Sequence, residues 1–401
     1  MFAYGFLSVV LVLYLVELGI SESRIGLLLS ATLFGDTAIS LWMTTRADRL
    51  GRRRMLLLGA ALMFAGGAAF AATHVFWALL LAATVGVISP SGNEVGPFLA
   101  LEQAALAQSV EPTHRTGAFA WYSLVGSFAT ALGSLAGGAV ADGLQRSGMA
   151  PVSSYRWLLL AYAAAGALLF ALSSRLTPAV EAPPSAAGSG RPAFLESSFG
   201  LHRSRRVVVR LSSLFAVDAF AGGFVVQSFV AYWFHRRFGA EPALLGAIFF
   251  GANVLAGVSA LCAAWVARRV GLLRAMVFTH LPSNALLFLV PLMPSLGTAI
   301  AVLFARFSIS QMDVPTRQSY TLAVVEPDER SAAAGITGIA RTVGASLAPV
   351  AAGPLFANPT LASIPFFIAG ALKAAYDLAL YRSFRSLRPP EERAREPSRA
   401  Q

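Results

Sequence analysis

The chain has 401 residues, 56% hydrophobic and 13% charged, with a formal net charge of +11. A soluble domain carries about 25% charged residues, so this balance excludes an ordinary soluble globular protein and points to the membrane class. The lone Cys262 excludes an internal disulfide and a multi-cysteine metal site. The five histidines show no metal-ligand spacing, and the basic residues fall in short loops rather than in a nucleic-acid-binding patch.

A membrane-spanning helix needs about 20 mostly apolar residues. Twelve stretches qualify: residues 2–19, 25–46, 54–73, 76–107, 117–141, 156–175, 207–234, 243–267, 273–293, 297–324, 331–356 and 361–382. The first begins at Phe2 without a basic lead, so it reads as a span and not as a cleavable signal. Its abrupt start suggests that a cytoplasmic lead is missing.

Span two carries Asp36 and span seven carries Asp218, each an acid in apolar surroundings. Intramembrane acids are functional by default, so either is a candidate carrier of a coupling proton; the alternative is a buried acid satisfied by a hydroxyl. Arg341, in span eleven, is placed to neutralise one of them. Span four reads SPSGNEVGPFLALEQ, where Pro90, Gly92, Gly96 and Pro97 interrupt the helix beside Asn93 and Glu94. Broken spans are the best sequence pointer to a transporter's binding site. Glu102 and Gln103 lie two turns further on. A plain kink with Glu94 ion-paired to another helix is the alternative.

Residues 176–206 are rich in Pro, Ala, Gly and Ser, the composition of a flexible linker. It divides the chain into a six-helix half at 1–175 and a second at 207–384, followed by a basic tail at 385–401.

Span ten contains RFSISQMDVPTRQSY, with Arg306, Asp313, Arg317 and Gln318. A charge at the bilayer centre costs at least ~2.5–3.5 kcal/mol, so these residues are expected to face protein or a water-filled cavity. At ~100° per residue, Arg306, Asp313 and Arg317 fall on one helical face, interrupted near Pro315. Asp313 and Arg317 are also spaced to pair on their own helix. A pairing of Glu102 with Arg317, or of Glu94 with Arg306, across a cavity is the bolder alternative. Lys373 and Asp377 form a further i, i+4 pair in span twelve.

Most loop arginines fall on one side of this arrangement, in loop 46–54, the linker, loop 268–274 and the tail. The opposite loops carry Arg24, Arg146, Arg156, Arg236 and Arg237. The positive-inside rule then makes the arginine-rich side cytoplasmic, with both termini on it.

The two halves also echo each other. VEPTHR at 110–115 aligns with VEPDER at 325–330, which brings Gly138 onto Gly353, Gln103 onto Gln318 and Glu102 onto Arg317. A second register pairs Gly26 with Gly246 and Gly51 with Gly271.

The loop after span two reads TTRADRLGRRR. It resembles the hallmark loop of the major facilitator superfamily, G-x-L-A-D-R-x-G-R-R. Ala47, Asp48, Arg49, Gly51, Arg52 and Arg53 match; Thr44 and Arg46 depart from it. ALGSLAGG, with Gly133, Ser134, Gly137 and Gly138, is similar to the superfamily's antiporter motif with Ser134 in place of the proline. The resemblance implies an all-α integral membrane protein of twelve transmembrane helices in two parallel six-helix repeats. It also implies a gating role for Asp48, Arg49, Gly51, Arg52 and Arg53, with Asp48 accepting hydrogen bonds from a helix N-terminus.

The expected function is secondary active transport of a small solute by alternating access, proton-coupled, with a slight preference for efflux of drug-like or metabolite substrates. Transport of a small anion on Arg306 and Arg317 is the alternative, and a non-transporting membrane sensor a more distant one. No GxxxxGK[ST] loop is present for direct ATP use, and no enzyme motif stands out. The expected partners are substrate, protons and the lipid bilayer, with no cofactor, metal or nucleic acid, in a monomer of the plasma (inner) membrane.

Overall fold

The computed structural model describes residues 1–92, 96–111, 115–177, 180–181 and 201–387, and for a few of these, Asp48 included, the backbone alone. Span one is divided into α1 (Phe2–Ser8) and α2 (Leu11–Glu17). The next two are continuous, α3 (Glu22–Leu50) and α4 (Arg52–Ala72). Span four is divided into α5 (Phe76–Val85) and α6 (Pro97–Ser109), and α7 (Arg115–Arg146) and α8 (Pro151–Ser174) follow. Span seven is divided into α9 (Arg205–Gly223) and α10 (Gln227–Phe238). Then come α11 (Pro242–Val270) and α12 (Leu272–Leu289). Span ten is divided into α13 (Leu296–Ser310) and α14 (Asp313–Ala323). The last two are α15 (Arg330–Ala357) and α16 (Ile364–Phe384).

Every third span is therefore broken. Among the described residues nine helical stretches are long and apolar enough to cross a bilayer; spans one, four and ten fall short because each is split into pieces. The single helix expected to carry Arg306, Asp313 and Arg317 is corrected by the break at Gln311–Met312. Pro315 does not cause that break. It sits in the first turn of α14, where its missing N–H has no intrahelical partner to lose.

The helices pack as two compact units. One combines Met1–Gly190, Val225–Val254 and Ser346–Ser363; the other combines Arg191–Phe224, Leu255–Ala345 and Ile364–Gln401. These units do not coincide with the halves read along the chain: α10, the first part of α11 and the end of α15 pack with first-half helices.

In the first unit, glycines set the packing distance. A side chain on Gly26 of α3 would meet the Pro349 carbonyl and come within 3.0 Å of Gly353 Cα on α15. A side chain on Gly138 of α7 would meet the Pro242 carbonyl and come within 2.8 Å of Gly246 Cα on α11. Gly133 and Gly137 lie against the backbone of Phe2 and Phe6 in α1. The ALGSLAGG stretch is thus a two-sided packing surface, where small residues let backbones touch.

Two turns obey the same rule at the other ends of these helices. Gly51 and Gly271, aligned by the repeat, both have positive φ (100° and 91°) and both precede a helix. Ahead of α4 the carboxylate of Glu181 accepts the amides of Arg52 and Arg53, at 2.6 and 3.3 Å. Negative charge at a helix N-terminus is favourable. This is the capping chemistry expected of Asp48, whose side chain lies outside the described residues.

In the second unit, Leu211, Phe215, Met276, Val277, Tyr320, Tyr376 and Leu380 form a buried apolar cluster. Above it, Glu329 clamps the start of α9. Its carboxylate accepts the amides of His202, Arg203 and Ser204, the last two at 2.8 Å. Burial alone would raise this carboxyl. The hydrogen bonds from Ser204, His202 and Arg203 outweigh burial and bring it down to about 2 from an ordinary 4.5. The carboxylate therefore stabilises the fold above pH 4.5, and the contribution is lost as pH falls toward 2. The melting-temperature gap between wild type and Glu329→Gln should narrow across that window; a gap independent of pH there would contradict the clamp.

Gly353→Ala should lower the melting temperature in detergent, by an overpacking cost of about 1–3 kcal/mol. Gly143→Ala meets nothing within 4 Å and should be neutral or stabilising, since alanine is the better helix former. Equal behaviour of the two variants would show that close approach at Gly353 is unimportant.

Candidate functional site

Five helices of the second unit bring ionisable side chains to one place. α9 supplies Asp218, α12 His280 and Asn284, α14 Asp313 and Arg317, α15 Arg341, and α16 Lys373 and Asp377. Asp218 is 2% exposed. Its Oδ1 accepts from Lys373 Nζ at 2.6 Å, and its Oδ2 accepts from Arg341 Nη1 at 3.0 Å. Arg317 Nη1 stands 3.6 Å from the same Oδ2 and donates to Asp313 one turn away. Three cations thus converge on a single carboxylate.

A second layer lies beside it. His280 Nδ1 is 3.0 Å from Asp377 Oδ1, and Asn284 donates to Asp377 Oδ2 at 2.8 Å. His280 Nε2 lies 3.9 Å from Asp218 Oδ1, so the imidazole bridges the two acids. The expected Lys373–Asp377 pair is corrected here. Lys373 turns to Asp218 because that acid has no basic residue one turn away on its own helix, and Asp377 is satisfied from α12.

Arg306, on α13, presents its guanidinium over the Phe307 ring at 4.9 Å. Its Nε is buried with no hydrogen-bond partner among the described residues. Gln318 is exposed on α14.

The first unit holds the other candidates. Asp36, on α3, packs its carboxylate against Gly96, the left-handed residue (φ 55°) that starts α6. Glu102 on α6 accepts from the Tyr122 hydroxyl on α7, and Gln103 is half-buried on α6. Glu102 and Arg317 therefore each have a partner within their own unit. Asn93 and Glu94 lie outside the described residues.

The first unit also contains a polar knot at the breaks of spans one, four and seven. Gln227 donates to Ser8 Oγ at 2.8 Å and to Ser134 Oγ at 3.3 Å. Ser228 Oγ donates to the carbonyls of Ser8, at 2.7 Å, and Pro90, at 2.8 Å. Asn253 donates to Gln227 Oε1 at 3.4 Å. Sequence reasoning missed Gln227, Asn253 and His280. The pointers were the Gly222–Gly223 interruption beside Gln227 and the polar His280 and Asn284 one turn apart in an apolar span.

A family model described as the Major Facilitator Superfamily matches residues 1–349. The chain belongs to this superfamily; it is a multi-pass membrane transporter of small solutes working by alternating access, and not an enzyme. It is 29% identical, over 94% of its length and 90% of the relative's, to an uncharacterized membrane protein of Saccharomyces cerevisiae. Over 139 residues, 34% of each chain, it is 30% identical to the quinolone resistance protein NorA of Staphylococcus aureus. Solved structures share the fold. A D-xylose–proton symporter superposes with TM-score 0.72 at 16% identity, covering 97% of this chain and 95% of that one. A bacterial homologue of the human lysosomal transporter Spinster gives 0.73 at 16% identity, covering 96% and 95%.

Breaking a buried ion pair by removing one partner costs about 3–5 kcal/mol. Asp218→Asn strands Lys373 and Arg341 and leaves Arg317 to Asp313 alone, whereas Lys373→Met leaves Asp218 with two cations. Asp218→Asn should therefore lower the melting temperature more than Lys373→Met. The reverse order would mean that Asp218 is not the centre of the cluster.

Proposed function

We propose that this chain is a proton-coupled secondary transporter of a small solute bearing an anionic group, held by Arg306. The observation that carries this reading is the balance at the site. Lys373, Arg341 and Arg317 are matched against Asp218, Asp313 and Asp377, while Arg306 has no carboxylate partner among the described residues. A cation partly withdrawn from solvent in this way is stabilised by an anion that approaches it. Substrate arrival and departure then change the charge near Asp218, which couples binding to rearrangement of the cluster. The coupling proton is assigned to an intramembrane acid, with Asp36 the candidate, because Asp218 is engaged by Lys373, Arg341 and Arg317. The protein is read as a monomer of the plasma membrane; the arginine-rich loops support an orientation with both termini cytoplasmic, the Asp48–Arg53 loop gating that face.

The partial likeness to a quinolone resistance protein supports a second reading, efflux of drug-like cations or neutral solutes, in which Asp36 and Glu102 meet the substrate.

A thermal-shift screen in detergent separates the two, because a ligand bound only by the folded protein must raise its melting point. Under the first reading, a small carboxylate or inorganic anion stabilises wild type and has no effect on Arg306→Gln. A lipophilic cation whose effect depends on pH and on Asp36 or Glu102, with no anion active, would replace the first reading by the second.

A further inference from the structure

Where α9 begins and α16 ends, the second unit carries an open cavity of about 1040 Å³ lined by Arg205, Arg206, Arg210, Arg382, Ser213 and Ser383, with Val209 and Leu214. Arg206, Arg210 and Ser213 stand at i, i+4 and i+7, one face of α9; Arg382 and Ser383 face them from α16. Among the described residues no carboxylate lines this cavity, and none pairs with these four arginines. Four like charges beside one another repel, and a counter-charge among them relieves that repulsion.

The apolar surroundings say which kind. Val217 continues the Arg210–Ser213 face one turn deeper and is 40% exposed. Leu378 lies one turn before Arg382 and is 61% exposed, and Val209, between the arginines, is 53% exposed. A cluster of arginines thus sits at the end of a strip of uncovered hydrocarbon along the same two helices. A free phosphate would satisfy the arginines and leave the strip untouched. A phospholipid uses both, its phosphate among the guanidinium groups and an acyl chain along Val217 and Leu378.

We infer that the α9–α16 cavity is a binding site for the headgroup of an anionic phospholipid on the membrane face that the arginine count assigns to the cytoplasm. Basic clusters on that face attract anionic lipid generally. The α9–α16 cavity is a defined site whose arginines are not interchangeable with Arg385, which is exposed nearby but does not line the cavity.

The test uses the full chain in phosphatidylcholine nanodiscs with increasing phosphatidylglycerol. Native mass spectrometry after release counts the retained anionic lipid. Wild type should keep phosphatidylglycerol, with apparent affinity at least about tenfold above that of Arg206→Gln/Arg210→Gln/Arg382→Gln. The triple variant should melt like wild type in pure phosphatidylcholine, which separates lost binding from misfolding. The single variant Arg210→Gln should weaken retention, and Arg385→Gln should not. Equal retention by the triple variant overturns the site, and an Arg385→Gln effect as large as that of Arg210→Gln reduces it to diffuse surface charge. Displacement by glycerol 3-phosphate at concentrations comparable to the lipid overturns the membrane source in favour of a soluble phosphoryl ligand. Binding that emerges only after residues 388–401 are removed would make the tail, with Glu391 and Glu392, the occupant.

Discussion

A helix in lipid can be interrupted only where protein groups or a water-filled cavity, and not the lipid, take up the freed backbone groups. That constraint shapes this molecule. Spans one, four, seven and ten are each cut in two, and three of the cuts meet: Ser228 donates to carbonyls released at Ser8 and Pro90, while Gln227 links Ser8 to Ser134. The breaks are mutually satisfied, so each depends on the others. Gly96 allows the chain to re-enter a helix at α6, and the Asp36 carboxylate fills the space that a larger residue at 96 would need. The described backbone at Ser8, Pro90 and Gln227–Ser228 is thereby held by protein groups.

The Asp218 cluster obeys a similar rule for charge. None of its members is tolerable alone in hydrocarbon, yet five helices each contribute at least one, and the result is close to neutral. Because Asp218 holds three cations at once, a change at any of α14, α15 or α16 alters what the others feel. The five helices are thus joined by a few ion pairs, and those pairs have alternatives close by: His280 lies between two acids, and Arg317 reaches both Asp313 and Asp218.

Much of the architecture was legible in the residues. Apolar runs located the spans, the Gly51 and Gly271 loops appeared as a repeat, and the Arg341–Asp218 and Asp313–Arg317 pairings were within reach of charge arithmetic and helical spacing. What escaped is what depends on interhelical register. Lys373 and Asp377 stand at ideal spacing on one helix, but each finds its partner on another, because packing on α9 and α12 offers better-placed groups. His280 carried no metal pattern and so drew no attention, although a histidine one turn from an asparagine in an apolar span has little reason to be there except to meet buried polar atoms. Ser8 and Gln227 are ordinary residues whose role emerges only when three helix breaks are brought together. Pro315 looked like the interruption of span ten and proved harmless, because the cut comes four residues earlier.

The glycine contacts have an ancestry written into their numbering. In the aligned repeats Gly26 corresponds to Gly246 and Gly138 to Gly353, and in space Gly26 meets Gly353 while Gly138 meets Gly246. Call the first position i and the second j: i touches j, and j touches i. This is the pattern of an isologous interface, the self-complementary contact by which two identical subunits associate about a two-fold axis. A six-helix protein with one glycine at each position would make both contacts simply by dimerising, and fusion of two such copies would preserve them within one polypeptide. Once fused, the two contacts need no longer be identical. Each is free to drift in strength, and a transporter descended from a symmetric pair can acquire a preferred direction of opening without any change of fold.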